Sequence, residues 1–521
     1  MEIQMFEFLK HVFQLRRKVD LDHNATTPVS SRVRRKMNDV LKGVPGNPSS
    51  FHGSGRQAAE LLHEARQQVA VAIGADPQEV VFTSGATEAN NAVLRSVSAH
   101  FGPNKQKIVS TPLEHPSVMN VLAHLETQGV VVEYCPVDRH GRVRLAELAR
   151  RVDDETGLVC CMFANNETGV IQDLAAVVNI ARRHGAFVLA DCVQALGKIP
   201  VDVHALGVDY ASFSAHKLYG PKGIGALYVK RGSPFAPLLL GGHQESGLRA
   251  GTECLHNIVG FGAACEDVGQ LLAQADQTLA LKRQLLRRLK QIKPDGVMNS
   301  PDNESECLPN TLSLRFPGVD NAGLMGRLDH RGVAVSAGSA CATGEATPSH
   351  VLRALGLSDQ AARETLRISL GRTTSARDIQ YTAQVIQEYI EGRTALVNML
   401  TPAQLNETVL FDDNTYLLDV RPSNDREQQP GLPNAHEVNP LWVGRYLGQL
   451  PRDKQIVVYC PGGGLSLMVA YYLKAKGFQK VTNLRGGLHG WRQRRPDLYQ
   501  RYAGQNVTVL QPDRPEAAVR A

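Results

Sequence analysis

The sequence predicts an α/β protein with more than one domain. From about residue 56 to 230, helix-period segments alternate with short apolar runs such as EVVFT, QKIVST, VVVEYC, LVCCMFA and AFVLAD. Continuously apolar, β-branched runs of this length are typical of strands in a mostly parallel sheet that helices cover on both faces. The chain has 521 residues, which exceeds one ordinary domain. We therefore expect one large sheet followed by smaller units.

The opening residues 1–19 predict an additional helix. Phe6, Leu9 and Phe13 follow helical spacing. A transit peptide has a similar pattern, but Glu2 and Glu7 argue against one because such peptides avoid acidic residues. We interpret this extension as an amphipathic helix that serves as an interface element.

The next elements follow from periodicity. The segment RQAAELLHEARQQVAVAIGA predicts a helix that ends at Gly74. From about 261 to 398 the pattern becomes rich in helices, with a strand pair indicated by NTLSLRF and GVAVSA. A long helix is expected in ARDIQYTAQVIQEYIEGRTALV. The residues expected to face the core are Ala58, Leu62, Ala65, Val69 and Ile73 in the first helix, and Ile379, Val385, Ile386, Tyr389 and Ile390 in the last.

A domain boundary is expected near residue 400. TPAQL gives a turn and a helix start, and a new alternation of strands and helices begins at TYLLDV. The tail from 503 to 521 is polar and rich in proline, so we expect it to be loosely ordered.

Composition narrows the possible functions. Hydrophobic residues make up 43% and aromatic residues 6%, as in soluble globular proteins, and the net charge of +6 is spread along the chain. Nucleic acid is therefore not expected as a partner. No apolar run reaches the roughly 18 residues of a membrane helix. The nine cysteines form no C-x-x-C pair, so neither a metal site nor a disulfide framework is indicated, and we expect a cytoplasmic protein.

A lysine in a tight turn indicates cofactor chemistry. Lys217 follows a short strand in ASFSAHKLYGPKG, where a lone lysine is ordinarily a surface residue. Asp191 ends the apolar strand AFVLAD at the edge where α/β sheets bind ligands, and Gln194 follows it. FTSGATEANN is a strand, a turn and a helix start whose free N–H groups, with the Thr87 hydroxyl, suit an anion. Together they suit pyridoxal 5'-phosphate, with the lysine as covalent carrier and the aspartate beside the ring nitrogen.

At this point the chain resembles a known family, the cysteine desulfurases. The motifs are LDHNATTP, GNPSSFHGSG, SGATEANN, EHPSV, NNETGVIQD, DCVQALGK, SAHKLYGPKGIGALY, RAGTE, SAGSACATG and LRISLG, in family order from about residue 20 to 395. The resemblance implies a dimeric fold type I pyridoxal-phosphate enzyme, with a large domain at about 20–260 and a small domain at about 261–398.

The resemblance also implies roles for individual residues. Lys217 would carry the cofactor, Asp191 would pair with its ring nitrogen, His115 would stack on the ring and Gln194 would hydrogen-bond its phenolic oxygen. The phosphate would be held by Ala86, Thr87, Ser214 and His216, joined by Thr252 from the partner subunit. Asn166 would contact the cofactor and, together with Arg367, would receive the carboxylate of substrate cysteine. Structural alternatives are a turn residue for Ser214 and a helix cap for Asn166.

Cys341 lies among small residues in GSACATGE, which provide few packing partners for a structural thiol. By the resemblance its thiolate attacks the sulfur of substrate cysteine and keeps it as a persulfide, and small neighbours suit a thiol that must move between site and acceptor. The chain departs from the family loop SGSAC by one small-for-small exchange at Ala337. Cys192 replaces the alanine usual in DAVQ, which we interpret as packing, with a reactive thiol as the alternative.

Residues 401–500 resemble a single rhodanese domain. QIVVYCPGGGLSLMVAYYL is a strand, a loop that begins at Cys460, and a helix, so loop N–H groups would surround the sulfur. Asp419 and Arg421 fit the family pattern. Leu465 stands where rhodanese loops commonly have arginine, and this loss is expected to weaken thiosulfate binding. Cys460 is thus interpreted as a catalytic sulfur carrier, with a docking-only domain as the alternative.

The sequence therefore predicts an L-cysteine desulfurase with a fused rhodanese-like domain, acting as a homodimer with a sulfur-acceptor protein as partner. Selenocysteine lyase or another fold type I enzyme is the alternative. Iron–sulfur scaffold, tRNA thiolation, molybdenum cofactor and thiamine routes all remain open for the sulfur.

Overall fold

A computed structural model describes residues 18–100, 105–319, 321–337, 348–391 and 397–511. The first part of the chain forms β1 (Val19–Asp20), α1 (Ser31–Gly43), α2 (Gly53–Ile73), β2 (Val80–Thr83), α3 (Ala86–Ala99), β3 (Lys107–Ser110), α4 (Pro116–Glu126), β4 (Val131–Tyr134), α5 (Leu145–Arg151), β5 (Thr156–Cys160), α6 (Leu174–Arg183), β6 (Phe187–Asp191), α7 (Val203–Leu206), β7 (Tyr210–Ser214) and β8 (Gly225–Val229).

Seven of these strands form one sheet in the order β2-β8-β7-β6-β5-β3-β4. The five from β7 to β4 run parallel, and β8 is antiparallel to both of its neighbours. Successive strand residues such as Leu158 and Val159 enter two different apolar clusters, since alternate side chains point to opposite faces. Helices α2 and α6 cover one face, and α3 and α4 cover the other. The α/β prediction is confirmed.

The predicted helix over α2 is also confirmed. Ala58, Ala65, Val69 and Ile73 are buried, and Leu62 is partly buried against the same core. The helix ends at Gly74, which has the left-handed backbone angle φ of +69° that glycine adopts without strain.

The second part forms α8 (Leu255–Cys265), α9 (Val268–Ala273), α10 (Ala275–Ile292), β9 (Val297–Met298), β10 (Thr311–Arg315), α11 (Asn321–His330), β11 (Val333–Ala334), α12 (His350–Ala354), α13 (Asp359–Arg363), β12 (Thr365–Ser369) and α14 (Ala376–Ile390). In α14 Ile379, Val385 and Ile386 are fully buried and Tyr389 and Ile390 partly so, as predicted.

The predicted pairing of NTLSLRF with GVAVSA is wrong. The first segment contains β10, which pairs with β12 and β9 in a three-stranded antiparallel sheet. The second contains β11, which pairs in parallel with β1 from the start of the chain. Strand β1 has only two residues, too few to show a period in the sequence, so the true partner of β11 gave no signal.

The third part forms β13 (Asn398–Leu400), α15 (Glu407–Leu410), β14 (Thr415–Asp419), α16 (Ser423–Gln428), β15 (His436–Glu437), β16 (Gln455–Tyr459), α17 (Gly464–Ala475), β17 (Val481–Leu484), α18 (Gly487–Arg494), α19 (Pro496–Tyr502) and β18 (Thr508–Val509). Its six strands are parallel in the order β13-β17-β16-β14-β15-β18. Two apolar clusters cover the two faces of this sheet, and α17 also packs against α11.

Among the residues described, no helix is both long and apolar enough to span a membrane. The N-terminal extension and most of the C-terminal tail, for which a helix and loose order were predicted, lie outside the described residues.

Candidate active site

Lys217 lies in a single 3₁₀ turn that directly follows β7. Its ammonium group donates to the backbone carbonyls of Asn24, at 2.5 Å, and Ala25, at 2.7 Å. The next residue but one, Tyr219, has a left-handed φ of +61°, which strains any residue other than glycine. Its N–H donates to the Thr27 hydroxyl at 2.7 Å. The LDHNATTP segment therefore binds the lysine turn both at the Lys217 ammonium and at the Tyr219 backbone.

Asp191 ends β6, next to the end of β7 in the sheet. The carboxylate is nearly buried and accepts two hydrogen bonds, from the Val193 N–H at 3.0 Å and from the Asn90 amide at 3.2 Å. Asn90 also donates to the Ser117 hydroxyl, which pairs with Nδ1 of His115 at 2.8 Å. A continuous polar chain therefore joins Asp191 to His115.

His115 caps the N-terminus of α4, and its Nδ1 accepts the Ser117 N–H at 3.1 Å. Burial lowers the pKa of His115; the charge of Asp191 raises it and that of Lys217 lowers it. A neutral ring with Nδ1 as acceptor suits stacking on an aromatic cofactor, and the hydrogen-bond chain from Asp191 places this imidazole beside the carboxylate.

The expected phosphate seat lies at the start of α3. Ala86 and Thr87 form its first turn, where backbone N–H groups have no partner within the helix. Ser214, which ends β7, borders Gly85: a Cβ at Gly85 would lie 3.9 Å from its hydroxyl. Gly225 must stay glycine, because a Cβ there would lie 2.7 Å from the Gly85 Cα.

Charge at this seat favours an anion. His216 pairs through Nδ1 with the Thr26 hydroxyl at 3.1 Å. Burial, together with the charges of Lys217, Lys222 and Lys198, lowers the pKa of His216 to about 4. Lysines near this imidazole favour the binding of an anion such as phosphate. The donors and charges present therefore fit pyridoxal phosphate.

Gln194 is held at both ends of its amide. Nε2 donates to the Asn24 carbonyl at 3.0 Å, and Oε1 accepts from the ammonium of Lys198. Lys198 also donates to Oδ1 of Asn24 at 3.2 Å. Burial, with the charges of Lys217 and Arg367, holds the pKa of Lys198 well below its ordinary value. Because Oε1 already accepts this hydrogen bond, the amino end of Gln194 is the end that can donate to a bound ligand.

Arg367 is fully buried on β12 and donates to Asp22 Oδ1 at 2.8 Å and to the Asn166 carbonyl at 3.2 Å. Asn24 donates to the same Asn166 carbonyl at 3.0 Å. The two residues expected to bind substrate therefore lie together and connect through Asn24 to Lys217. The structure does not reproduce the helix-cap alternative for Asn166, which precedes no helix.

The sequence interpretation missed three residues of this site. Asn24, Asp22 and Lys198 stand in the quoted motifs LDHNATTP and DCVQALGK but received no role. Their signal was present in those motifs. Two of them act on other protein groups, and Asn24 receives Lys217 through a backbone carbonyl, which residue type does not reveal.

Cys341 lies outside the described residues, and only the flanks of its segment are described. Before it, Ser336 and Arg367 exchange both backbone hydrogen bonds, at 3.2 and 2.7 Å. After it, the Ser349 hydroxyl donates to Glu167 at 2.6 Å, and His350 Nε2 pairs with the Glu114 carbonyl at 3.0 Å. Both flanks are thus attached beside the residues expected to bind substrate and cofactor.

Cys192 and Thr252 differ in accessibility. Cys192 is fully buried, and burial together with the charge of Asp191 raises its pKa well above the ordinary value, which favours packing over reactivity. Thr252 is exposed in the segment before α8.

Cys460 directly follows β16 and begins the loop that leads into α17. Its buried sulfur accepts the N–H groups of Gly463 at 3.2 Å and Ser466 at 3.3 Å, and the Ser466 hydroxyl at 3.3 Å. All three donors are neutral. Asp419 and Arg421 form a buried ion pair at 2.6 Å that also binds the Tyr459 hydroxyl, so this arginine stabilises the sheet beside the loop.

Comparison with known proteins agrees with this geometry. Residues 19–382 match the family described as aminotransferase class-V, and residues 401–494 match the rhodanese-like domain. The chain therefore belongs to the aminotransferase class-V family and has a rhodanese-like domain after it.

Within that family it groups with the cysteine desulfurases. It is 41% identical over 377 residues to a cysteine desulfurase of Trichormus azollae, which covers 72% of this chain and 94% of the relative. It is 38% identical over 378 residues to the cysteine desulfurase IscS of Dictyoglomus turgidum, with 72% and 95% covered. A solved NifS-like protein has a TM-score of 0.68 and 38% identity over 72% of this chain and 100% of its own. SspA in complex with cysteine has a TM-score of 0.60 and 33% identity, with 68% and 99% covered.

Proposed function

We propose that this chain takes the sulfur of L-cysteine, releases L-alanine and holds the sulfur as a persulfide on Cys341. The observation that carries the proposal is the polar chain from Asp191 through Asn90 and Ser117 to His115, which starts at the end of β6, next to the end of β7 that leads into the Lys217 turn. An amine, a carboxylate and an imidazole at neighbouring strand ends, beside an anion seat, form the set that pyridoxal-phosphate chemistry needs.

Pyridoxal phosphate, when bound, supplies a ring that accepts electrons from the substrate carbon. Lys217 would carry it covalently and then move the proton at the substrate Cα. Asp191 would pair with the ring nitrogen, His115 would cover the ring, and Nε2 of Gln194 would donate to the phenolic oxygen. Ala86, Thr87, Ser214 and His216 would hold the phosphate.

Arg367 would bind the substrate carboxylate together with Asn166. Asp22 orients the guanidinium through its bond of 2.8 Å, and the Ser336 hydroxyl holds the other oxygen of Asp22 at the same distance. A planar guanidinium held in one orientation suits the two oxygens of a carboxylate.

In the sulfur step the Cys341 thiolate attacks the sulfur of bound cysteine. The new S–S bond forms as the C–S bond breaks, and the electron pair stays on the substrate carbon, which then takes a proton. Cysteine and one thiol thus give alanine and one persulfide, with no external oxidant or reductant.

Cys460 would accept this sulfur in a second exchange, in which the Cys460 thiolate attacks the outer sulfur of the Cys341 persulfide and frees the Cys341 thiol. Three donors on the Cys460 sulfur support a carrier role, since they stabilise a thiolate or persulfide. The alternative is a domain that only docks partners. If Cys460→Ala leaves discharge of the Cys341 persulfide to its acceptor unchanged, the carrier role fails.

Assembly and location complete the proposal. We place the enzyme in the cytoplasm as a homodimer that delivers sulfur to an acceptor protein, with Thr252 serving the partner's phosphate seat. The proposed domains are 20–398 for the desulfurase and 401–500 for the rhodanese-like part.

The rival reading, a selenocysteine lyase or another fold type I enzyme, is tested with Cys341→Ser. We expect alanine release from L-cysteine to fall at least about a hundredfold while the yellow cofactor absorbance stays. Cys254→Ser is the matched control for loss of a thiol, because Cys254 is exposed and its sulfur contacts only the ring of His256 among the hydrogen bonds described. Undiminished turnover of L-cysteine or L-selenocysteine by Cys341→Ser would overturn the proposal.

A further inference from the structure

Helix α11 has a composition that its own stability does not explain. Its sequence NAGLMGRLDH has glycine at 323 and 326, inside a helix of 10 residues. Glycine is the least favourable residue of a helix interior after proline, so glycines there usually serve a packing purpose. The neighbour of this helix shows the purpose.

At Gly326 the missing side chain makes room for an aromatic ring. A Cβ there would lie 2.9 Å from Cδ2 of Tyr471 and 3.5 Å from the Cα of Met468, both on α17. Tyr471 is nearly buried and belongs to the core of the rhodanese-like domain, so its ring cannot easily move away. The fused domain therefore rests directly on the backbone of α11.

The contact extends along both helices. A Cβ on Gly464, the first residue of α17, would lie 3.2 Å from the Cβ of Ala322. Ala322 and Gly326 are four apart on α11, and Gly464, Met468 and Tyr471 follow the spacing i, i+4, i+7 on α17. These positions form one face of each helix, and the pairs advance along both chains in the same direction.

We infer that α11 is a docking surface for α17 of the chain's own rhodanese-like domain, and that this contact fixes the Cys460 loop on the desulfurase. Helix α17 begins at that loop, and the N–H groups of Gly463 and Ser466 hold the Cys460 sulfur. Helix α11 leads directly to β11 and then to the segment that contains Cys341. This docking does not require sulfur to reach Cys460. The docking and the proposed relay can therefore fail independently of each other.

Hydrogen–deuterium exchange of the full chain tests the docking with Gly326→Leu. Leucine has a higher helix propensity than glycine. The variant should therefore disrupt the contact with α17 without destabilising helix α11 itself. We expect amides of both α11 and α17 to exchange at least about tenfold faster than in the wild type, and the radius of gyration from small-angle scattering to rise. Gly269→Leu is the matched control, because a Cβ at this helical glycine meets nothing within 4 Å.

Ala322→Glu provides a second disruption on the first turn of α11, in case leucine at 326 affects folding. It should accelerate exchange in the same two helices. Unchanged exchange in α17 in both variants, or faster exchange confined to α11, would overturn the docking inference.

Discussion

The Lys217 ammonium donates to the carbonyl of Asn24, which is 193 residues away in the chain. The N–H donors to the Cys460 sulfur, by contrast, lie within 6 residues of it. The lysine site exists only once the sheet, the segment 22–27 and strand β12 have come together. The cysteine site is made by one loop and the start of one helix. Because the lysine site depends on contacts between distant segments, many single substitutions should affect it. The Cys460 site depends mainly on backbone N–H groups of one loop, so few single substitutions should affect it.

This difference predicts large effects at the first site and small ones at the second.

Lys217→Ala should lower alanine formation by about a thousandfold or more, since it removes both the covalent carrier and the group that moves the substrate proton. The loss should be visible also as absence of the yellow absorbance after cofactor is added. Lys42→Ala removes an exposed lysine of α1, remote from the site, and should keep most of the rate. Comparable losses in the two variants would contradict the role of Lys217.

Glu114→Gln should change how stability depends on pH. Burial, with the charge of Asp191, raises the pKa of Glu114 to about 7, against hydrogen bonds from the Met162 N–H and the Thr111 hydroxyl. The folded state therefore holds a proton that the unfolded state has lost above pH 4.5 or so. Protonated Glu114 therefore contributes its full stabilisation below about pH 4.5. This contribution to the free energy of unfolding, about 3 kcal/mol, is lost as the pH rises through about 7.

Urea unfolding at pH 5 and pH 8 measures this slope. The wild type should lose more stability over that interval than Glu114→Gln, whereas Glu126→Gln, an exposed residue of α4, should follow the wild type. An identical slope in Glu114→Gln and wild type would show that Glu114 does not titrate in this range.

Lys198→Met should weaken cofactor binding by roughly tenfold. The variant removes the hydrogen bond that the Lys198 amine donates to Oε1 of Gln194, worth about 0.5–1.5 kcal/mol, and so frees the amide to turn its oxygen towards the site. Fluorescence titration of the cofactor-free protein gives the dissociation constant. Lys198→Arg should restore most of the affinity and Lys42→Met, a remote exposed lysine, should not alter it. Equal affinity in Lys198→Met and wild type would remove Lys198 from the site.

Ser466→Ala should slow alkylation of Cys460 by only about three- to tenfold. One hydroxyl donor to the sulfur is lost, and the two backbone N–H donors remain. Mass spectrometry after a timed iodoacetamide pulse follows the rate, with Ser423→Ala as an exposed control. A loss as large as a hundredfold would mean that the Cys460 loop depends on side chains more than on its backbone.

The same contrast explains what the sequence could predict. The loop around Cys460, the lysine turn and the strand end at Asp191 are local patterns, and the structure has them where the motifs place them. The seven-stranded sheet followed from its apolar strands. Asn24, Asp22 and Lys198 were missed because their contacts join residues after β1 to the Lys217 turn, to β12 and to residues after β6, far apart in the chain. The pairing of β11 with β1 was missed because β1 has only two residues and shows no period.

The contact between the desulfurase part and the rhodanese-like domain could not be predicted from the sequence either. Gly326 stands inside a helical pattern and suggests only weaker helix preference, and Tyr471 suggests only a buried aromatic residue. Their contact gives both residues a purpose. No period or motif in one segment indicates which other segment it meets.

The most direct test of the central claim is to follow persulfides after adding L-cysteine to the purified full chain. We predict sulfur first on Cys341 and then on Cys460 in the wild type, with alanine released in step, and no sulfur on Cys460 in Cys341→Ala. Sulfur on Cys460 of Cys341→Ala, or alanine formed without any persulfide on Cys341, would contradict the account.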